Sequence, residues 1–242
     1  MTEKKMTNNN KIKQEKTFLR FDIGQRWEHM LLFVSATTLL LTGLPQKYRE
    51  MSWSQYLLST PERVELIRQI HHIAAIILTI EAVYHLGRAI YLLSRRKLSA
   101  ELFPTGQDVK DAAQMIRYIL FMRKDKPKFG RYNFEQKVTY WFVFFGFSLM
   151  IISGFVIWFP VAFTQFFPGG IIPAAKLMHS TESIVAAVFI LIWHFYHVHI
   201  ERLNLSIFTG RLSEEEMRDF HAREFERLER KTGEINQPGE KK

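Results

Sequence analysis

Residues 64–93 read VELIRQIHHIAAIILTIEAVYHLGRAIYLL, an apolar segment that carries His71, His72 and His85. About 20 apolar residues are enough to cross a bilayer as a helix. Ionisable side chains inside such a segment are costly and are usually functional. Because neutral histidine is the commonest protein ligand for metals and a common axial ligand of haem iron, the segment predicts a membrane-spanning helix that contributes to a haem site.

Three further apolar segments accompany this one. They run from about Trp27 to Leu44, from Val138 to about Pro160, and from Ala174 to about Ile200. None of them shows the polar face that a surface helix of a soluble bundle would carry. We therefore predict an all-α membrane protein, built as an up-down bundle of four transmembrane helices.

The distribution of Lys and Arg predicts the orientation in the membrane. The chain has a formal net charge of +9, and its basic residues concentrate in both tails and between the second and third segments, whereas the 161–173 loop has none. Basic loops remain cytoplasmic, so both termini are expected to be cytoplasmic. The predicted organisation is an N-terminal tail (1–26), a four-helix membrane domain (27–200) with a cytoplasmic amphipathic segment at about 100–135, and a charged C-terminal helix or tail (201–242).

Composition excludes several kinds of redox site. The 242 residues include no cysteine, which rules out disulfides, iron–sulfur clusters held by thiolates and haem attached through thioethers. Any haem must therefore be bound non-covalently through His or Met. The basic residues are scattered over the tails and form no recognisable nucleic-acid-binding module, so no nucleic-acid partner is expected.

Helical periodicity arranges the histidines at two depths. His71 and His85 are fourteen residues apart, which leaves them about 40° apart around the helix axis and about 21 Å apart along it. His179 and His194 are fifteen residues apart, or about 60° and 22 Å. The second and fourth helices run in the same direction. His71 and His179 therefore share the outer leaflet, and we expect them to hold one bis-His haem.

The cytoplasmic side offers a surplus of candidate ligands. These are His29, His85, His194 and His197. A pair of His29 with His194, or of His85 with His194, would give one further haem. If His29 pairs with one of His194 and His197, and His85 with the other, the total would be three haems. His72 and His199 point away from these faces.

Charged residues near the histidines are candidates for contacts with haem propionates or a quinone. The cations are Arg26, Arg68, Arg88 and Lys176. Their alternative role is to reach the membrane interface with their charged ends. The acids inside apolar helices are Glu81 and Glu182. An acid at such a place indicates a proton path or a quinone site, or else a hydrogen bond that orients a ligand histidine.

A weak internal repeat links the first and third segments. The first ends in LLLTGL (39–44) and the third contains MIISGF (150–155). Each is followed by a helix in which a basic residue precedes a histidine by three positions. Gly43 and Gly154 lack a Cβ and are expected to let a flat macrocycle approach the backbone.

Four motifs in order carry a resemblance to a known family. They are QRWEHMLLFVSATTLLLTGLPQK (25–47), IRQIHHIAAI (67–76), FGRYNFEQKVTYW (129–141) and AAKLMHSTES (174–183). Over about residues 18–210 the chain resembles the membrane cytochrome b (gamma) subunits of respiratory formate dehydrogenases and the related b-type subunits of nickel–iron hydrogenases. The order of the four motifs is specific, whereas each motif alone is weak.

The resemblance implies the ligand set. The gamma-subunit pattern maps the haem iron ligands onto His29 with His194 and onto His71 with His179. The cytochrome b of quinol–cytochrome c reductases uses paired histidines on two helices, a pattern that would combine His71 and His85 with His179 and His194. The sequence satisfies both patterns. It departs from the first in the fifteen-residue spacing in the fourth helix and in its extra histidines.

The resemblance also implies a function. It predicts a subunit of a hetero-oligomeric complex in the bacterial inner (cytoplasmic) membrane, with two or three haems b. Electrons would pass between a docked iron–sulfur or multihaem cytochrome subunit and menaquinone or ubiquinone, and the primary substrate would be oxidised on other subunits. The alternatives are a haem-free membrane anchor and a stand-alone membrane haem reductase.

Overall fold

The computed structural model describes residues 16–96, 100–200 and 203–235, and expectations for the remaining residues lie outside this part of the chain. Helices dominate the described residues. In chain order the elements are β1 (Thr17–Leu19), α1 (Ile23–Lys47), α2 (Ser52–Leu57), α3 (Pro61–Ser94), a short 3-10 turn (Ala100–Leu102), α4 (Gly106–Ile119), α5 (Phe134–Trp158), α6 (Pro160–Thr164), α7 (Ile171–Phe189), two π-helical turns (Ile190–His194 and Tyr196–Ile200), α8 (Ser206–Thr209), β2 (Arg211–Ser213), α9 (Glu214–Phe220) and α10 (Ala222–Ile235).

Four helices are long and apolar enough to cross a membrane, which confirms the predicted number of spans. They are α1, α3, α5 and the helix formed by α7 with its π turns, and they contain 25, 34, 25 and 30 residues. Polar caps explain why α1 and α5 begin about four residues before their apolar segments. The side chains of Asp22 and Asn133 accept the backbone N–H groups of Gln25 and Gln136 at 2.8 and 2.7 Å, which satisfies donors that a helix start leaves free.

The spanning helices bury small and polar side chains and expose large apolar ones. Ser35, Thr42 and Ser153 are buried, whereas Phe33 and Leu191 are more than half exposed. α1 packs along α3, and α5 packs along α7. Helices in lipid associate through small residues that permit close approach, because apolar side chains gain little by leaving the lipid. This distribution of burial is therefore the one expected of helices that contact a bilayer.

The two π-helical turns change the predicted periodicity of the last spanning helix. The turn Ile190–His194 lies between His179 and His194. A π turn accommodates one more residue than an α turn, so it absorbs the fifteenth residue of this spacing. The angle around the helix axis and the distance along it are therefore nearly the same for His179 and His194 as for His71 and His85, which are fourteen α-helical residues apart.

A small terminal cap is formed by β1, which precedes the first spanning helix, and by β2, α9 and α10, which follow the last one. β1 and β2 are antiparallel, with Phe18 opposite Leu212. Leu212, Met217 and Phe225 form a buried apolar cluster against which Phe18 packs. Gly210, at φ +77°, accepts the backbone N–H group of Arg20 at 2.8 Å. The short strand pair is a departure from the expected all-α architecture.

The charged helix predicted in the C-terminal region is broken. α9 ends before His221, and α10 begins after it. His221 is buried, and its Nδ1 donates to the carbonyl oxygen of Gly130 at 2.9 Å. The backbone N–H group of Arg223 donates to the carbonyl oxygen of Phe129 at 3.0 Å. The break thus lets the terminal cap bind the segment that leads into α5.

The amphipathic helix α4 presents its polar face to the protein. The Asp108 carboxylate lies 2.8 Å from Lys137 Nζ, and Asp111 accepts from Arg223 at 3.0 Å. Burial opposes ionisation of Asp108, but hydrogen bonds from Lys137 and Thr105 outweigh it and hold the pKa of this carboxyl below its usual range. The apolar residues Ile116, Ile119 and Leu120 face outward, more than half exposed.

We expect Asp108→Asn to loosen α4. The substitution removes the counter-charge of the nearly buried Lys137, and breaking such a pair costs roughly 3 kcal/mol. Limited proteolysis of residues 100–133 in detergent should therefore become faster. The pKa of Asp108 is lower in the folded protein than in the unfolded protein. Its contact with Lys137 therefore stabilises the fold at pH values above the unfolded pKa, and this stabilisation is lost as the pH falls through the folded pKa. Asp108→Asn should remove this acid sensitivity, whereas the exposed control Asp125→Asn should keep it.

Candidate haem-binding sites

His71 of α3 and His179 of α7 form the first pair. Their ring centroids are 6.4 Å apart. A metal–imidazole bond is about 2.0–2.1 Å long and the ring centroid lies about 1.2 Å behind the bonding nitrogen, so two axial imidazoles on one ion have centroids about 6–6.5 Å apart. The separation of His71 and His179 therefore fits one haem iron between the two rings.

Each ring of this pair is held through Nδ1. His71 Nδ1 lies 2.9 Å from Thr42 Oγ1. His179 Nδ1 lies 3.1 Å from Ser153 Oγ and 3.1 Å from the carbonyl oxygen of Met150. Thr42 belongs to α1 and Ser153 to α5, so the helix packed along each ligand helix fixes the orientation of its imidazole.

Gly43 and Gly154 make room for these two rings. A Cβ at residue 43 would lie 3.4 Å from His71 Cε1, and one at residue 154 would lie 3.2 Å from His179 Cε1. The space that was expected to admit a macrocycle is therefore taken by the ligand imidazoles. The repeated Thr-Gly and Ser-Gly sequences thus serve the two histidines of one pair.

His29 of α1 and His194 of the first π turn form the second pair. Their ring centroids are 6.2 Å apart, which again fits two axial ligands of one iron. Both rings are largely buried, and His29 Nδ1 is a buried atom without a hydrogen-bond partner. The structure therefore brings together the two pairs that the gamma-subunit pattern implies.

His85 lies in a polar network instead of a histidine pair. Its Nδ1 is 2.8 Å from Glu28 Oε2, and its Nε2 is 3.1 Å from the hydroxyl oxygen of Tyr140. Arg88 donates to Glu28 Oε1 at 2.6 Å and to Asp22 Oδ2 at 3.0 Å. With both ring nitrogens engaged, His85 has no lone pair directed at a second histidine.

The remaining histidines of the spans also contact other residues. The ring of His197 lies 4.9 Å from Trp193, and its Nδ1 lies 3.7 Å from a carboxylate oxygen of Glu135. His72 stacks on Trp158 at 4.0 Å. His199 lies 4.9 Å from the ring of Phe195. These contacts place His197 against an aromatic ring and a carboxylate.

The predicted cations are placed at the ends of the spans. Arg26 donates to the carbonyl oxygens of Ile207 and Phe208, the first at 3.2 Å, and so attaches α1 to α8. Arg68 pairs with Glu65 one turn earlier in α3. Lys176 is exposed. Arg88 joins the network of Glu28 described above.

The two predicted acids are placed differently from one another. Glu81 is buried, and its Oε2 has no hydrogen-bond partner. Glu182 is half-buried and lies against α5, where its Oε1 would be 2.8 Å from a Cβ at Gly146. Neither carboxylate contacts the Nδ1 of His71 or His179, because Thr42, Ser153 and Met150 occupy those positions.

Four residues of these sites were not predicted as site residues. Thr42 and Ser153 precede the glycines of the internal repeat, so the repeat itself carried a signal for them. Glu28 adjoins His29, but its contact with His85 depends on how α1 packs against α3. Tyr140 carried no signal, because one more aromatic residue in an aromatic-rich segment indicates only packing.

Comparison with known proteins identifies a family and several relatives. The prokaryotic cytochrome b561 family matches residues 20–210. The chain is 24% identical over 187 residues to the formate dehydrogenase cytochrome b556(fdo) subunit of Escherichia coli strain K12, which covers 76% of this chain and 80% of the relative. It is 21% identical over 185 residues to the formate dehydrogenase cytochrome b556 subunit of Haemophilus influenzae, which covers 76% and 72%.

The family match has two consequences. It covers most of the chain and includes both histidine pairs. It also confirms the expected resemblance to the membrane cytochrome b subunits of formate dehydrogenases, and it accords with the four apolar helices of a multi-pass bacterial membrane protein. The chain therefore belongs to the prokaryotic cytochrome b561 family.

Proposed function

We propose that this chain carries electrons across the bacterial inner membrane, between a docked redox subunit and the quinone pool, through two bis-His haems b. The observation that carries the proposal is the pair of His–His separations, 6.4 Å for His71 with His179 and 6.2 Å for His29 with His194. Bound haem supplies one-electron chemistry. The four histidines bind it, and the surrounding helices orient them.

The spanning helices alternate in direction, and both termini are cytoplasmic. Contacts between helix ends support this topology. Glu28, near the start of α1, meets His85 near the end of α3, and Thr42, near the end of α1, meets His71 near the start of α3. The distribution of basic residues supports the orientation. The pair of His71 and His179 then lies in the outer leaflet, and the pair of His29 and His194 lies on the cytoplasmic side.

The number of haems is two. The possibility of a third rested on His85 and His197. His85 is engaged by Glu28 and Tyr140, and His197 by Trp193 and Glu135. These contacts leave one ligand pair on the cytoplasmic side.

The quinone, menaquinone or ubiquinone, reacts near the cytoplasmic pair. Reduction of a quinone consumes protons as well as electrons, so its site needs a connection to water. The connected carboxylate, imidazole and phenol of Glu28, His85 and Tyr140 can hold and pass protons next to His29. The buried Glu81, on the same helix as His85 and one turn away, is a further proton carrier.

The electron partner is an iron–sulfur or multihaem cytochrome subunit of a hetero-oligomeric complex. The relatives are named as subunits of formate dehydrogenase, which supports a partner of this kind. The chain contains no cysteine, so it cannot itself hold an iron–sulfur cluster through thiolates. Oxidation of the primary substrate is therefore assigned to other subunits.

A haem count with a quinol assay tests the proposal. Purified protein in nanodiscs should contain about two haems b per polypeptide by pyridine haemochrome, and a reduced quinone should reduce them. Absence of haem b from protein purified from a haem-replete host would overturn the proposal in favour of a haem-free anchor. Binding of carbon monoxide by the reduced native protein would instead indicate an open-coordinate haem and a stand-alone reductase.

A further inference from the structure

The Nδ1 atoms of the paired histidines have different surroundings in the two pairs. His71 and His179 each place Nδ1 beside a hydroxyl group, at 2.9 Å from Thr42 Oγ1 and 3.1 Å from Ser153 Oγ. The corresponding atom of His29 is buried without a hydrogen-bond partner. His29 therefore lacks the Nδ1 contact that both histidines of the first pair have.

The hydroxyl groups fix which nitrogen of each outer imidazole carries the proton. Thr42 donates its only hydroxyl proton to the carbonyl oxygen of Thr38 at 2.7 Å, and Ser153 donates its own to that of Leu149 at 2.6 Å. Toward the imidazoles these oxygens can then only accept, so each histidine must donate from Nδ1. For His179 the carbonyl oxygen of Met150, which is also an acceptor, imposes the same tautomer. Nε2 of both rings therefore keeps its lone pair.

A glycine lies against each histidine of the pair. A Cβ at Gly43 would lie 3.8 Å from His71 Nδ1, and one at Gly154 would lie 3.6 Å from His179 Nδ1. The hydroxyl residue precedes the glycine in each case. Thr-Gly of α1 and Ser-Gly of α5 are thus equivalent supports, one for each ligand of the same iron.

We propose that Thr42 and Ser153 are positioning residues that hold the outer ligands in the Nδ1-protonated tautomer and set the outer haem at a lower reduction potential than the cytoplasmic one. A hydrogen bond from Nδ1–H makes an imidazole a stronger donor to its metal. A stronger donor stabilises ferric over ferrous iron and lowers the potential. Both outer ligands have this bond, whereas His29 lacks it. The difference favours electron flow from the outer leaflet to the cytoplasmic side. This inference rests on the proposed function.

Redox titration of the purified protein in nanodiscs tests the inference. Thr42→Val keeps the shape of the side chain but removes the acceptor of His71, whereas Ser153→Ala leaves His179 the carbonyl oxygen of Met150 at 3.1 Å. Thr42→Val should raise the potential of the outer haem, the component that His71→Ala removes, by a tenfold change in the ferric-to-ferrous equilibrium, or about 59 mV for one electron. Ser153→Ala should raise the same potential by less. Thr42→Ser and Ser153→Thr restore the acceptor and should restore the potential.

Thr38→Val is the matched control. Its hydroxyl group donates to the carbonyl oxygen of Val34 and is one turn from Thr42 on the same helix, so both potentials should stay unchanged. Loss of the outer haem in Thr42→Val, with retention in Thr42→Ser, would also support a positioning role. Unchanged potentials in Thr42→Val and Ser153→Ala with full haem content would overturn this inference and leave the two-haem function intact. A wild-type outer haem with the higher potential would overturn it as well.

Discussion

Replacement of His71 or His179 with alanine should remove one haem b and leave the other in place. The two ring centroids lie 6.4 Å apart, the separation that two histidine ligands of one haem iron would have, so the loss of either imidazole would remove one of the two ligands that would hold this haem. The haem b content per polypeptide, measured by pyridine haemochrome, should fall from about two to about one in each single variant. The double variant should retain about one, because both residues serve the same site.

His72→Ala is the control for this prediction. His72 is adjacent to His71 in sequence, but its ring stacks on Trp158 at 4.0 Å. The variant should therefore keep both haems, although it loses this stacking contact. Unchanged haem content in both His71→Ala and His179→Ala would show that the pairing is wrong. Equal loss in His72→Ala would show that general damage to α3, and not the loss of a ligand, lowers the haem content.

The spans and the outer pair could be predicted because lipid imposes simple requirements. A helix must be long and apolar to cross a bilayer, and the four apolar segments met this condition. The helix ends were less predictable. Asp22 and Asn133, which cap α1 and α5, are polar and precede the apolar segments, so hydropathy alone could not include them. The pairing of His71 with His179 needed only the helical period and the direction of each helix.

The partner of His29 could not be resolved from the sequence. Regular α-helical periodicity left His194 and His197 as alternatives, and it did not anticipate the π turn Ile190–His194, which absorbs one residue of the spacing between His179 and His194. The role of His85 depends on the rotation of α3 relative to α1 and α5, which sets its distances to Glu28 and Tyr140. A pattern within one helix contains no information about such rotations. The break at His221 likewise depends on a distant acceptor, the carbonyl oxygen of Gly130.

His29→Ala and His194→Ala should each remove the cytoplasmic haem and retain the outer one. The rings of His29 and His194 have centroids 6.2 Å apart, and we place the quinone near this pair. Haem content should fall to about one per polypeptide, and the remaining haem should be the component that His71→Ala removes. Reduction of that haem by added quinol should become slower by roughly a hundredfold or more, because a missing carrier lengthens the electron path across the membrane.

His85→Gln separates the cytoplasmic ligands from the proton network. His85 touches Glu28 and Tyr140 and no other histidine, so the variant should keep both haems with their bis-His spectra. The amide of glutamine can hydrogen-bond but cannot carry a proton, so quinol-dependent reduction should slow even though the haem content is full. A loss of haem in His85→Gln would mean that His85 is a ligand, and the number of haems would then have to be argued from His85 and His197 again. Full haem with an unchanged rate would leave His85 a structural contact of α3, and proton transfer would then be assigned to Glu81.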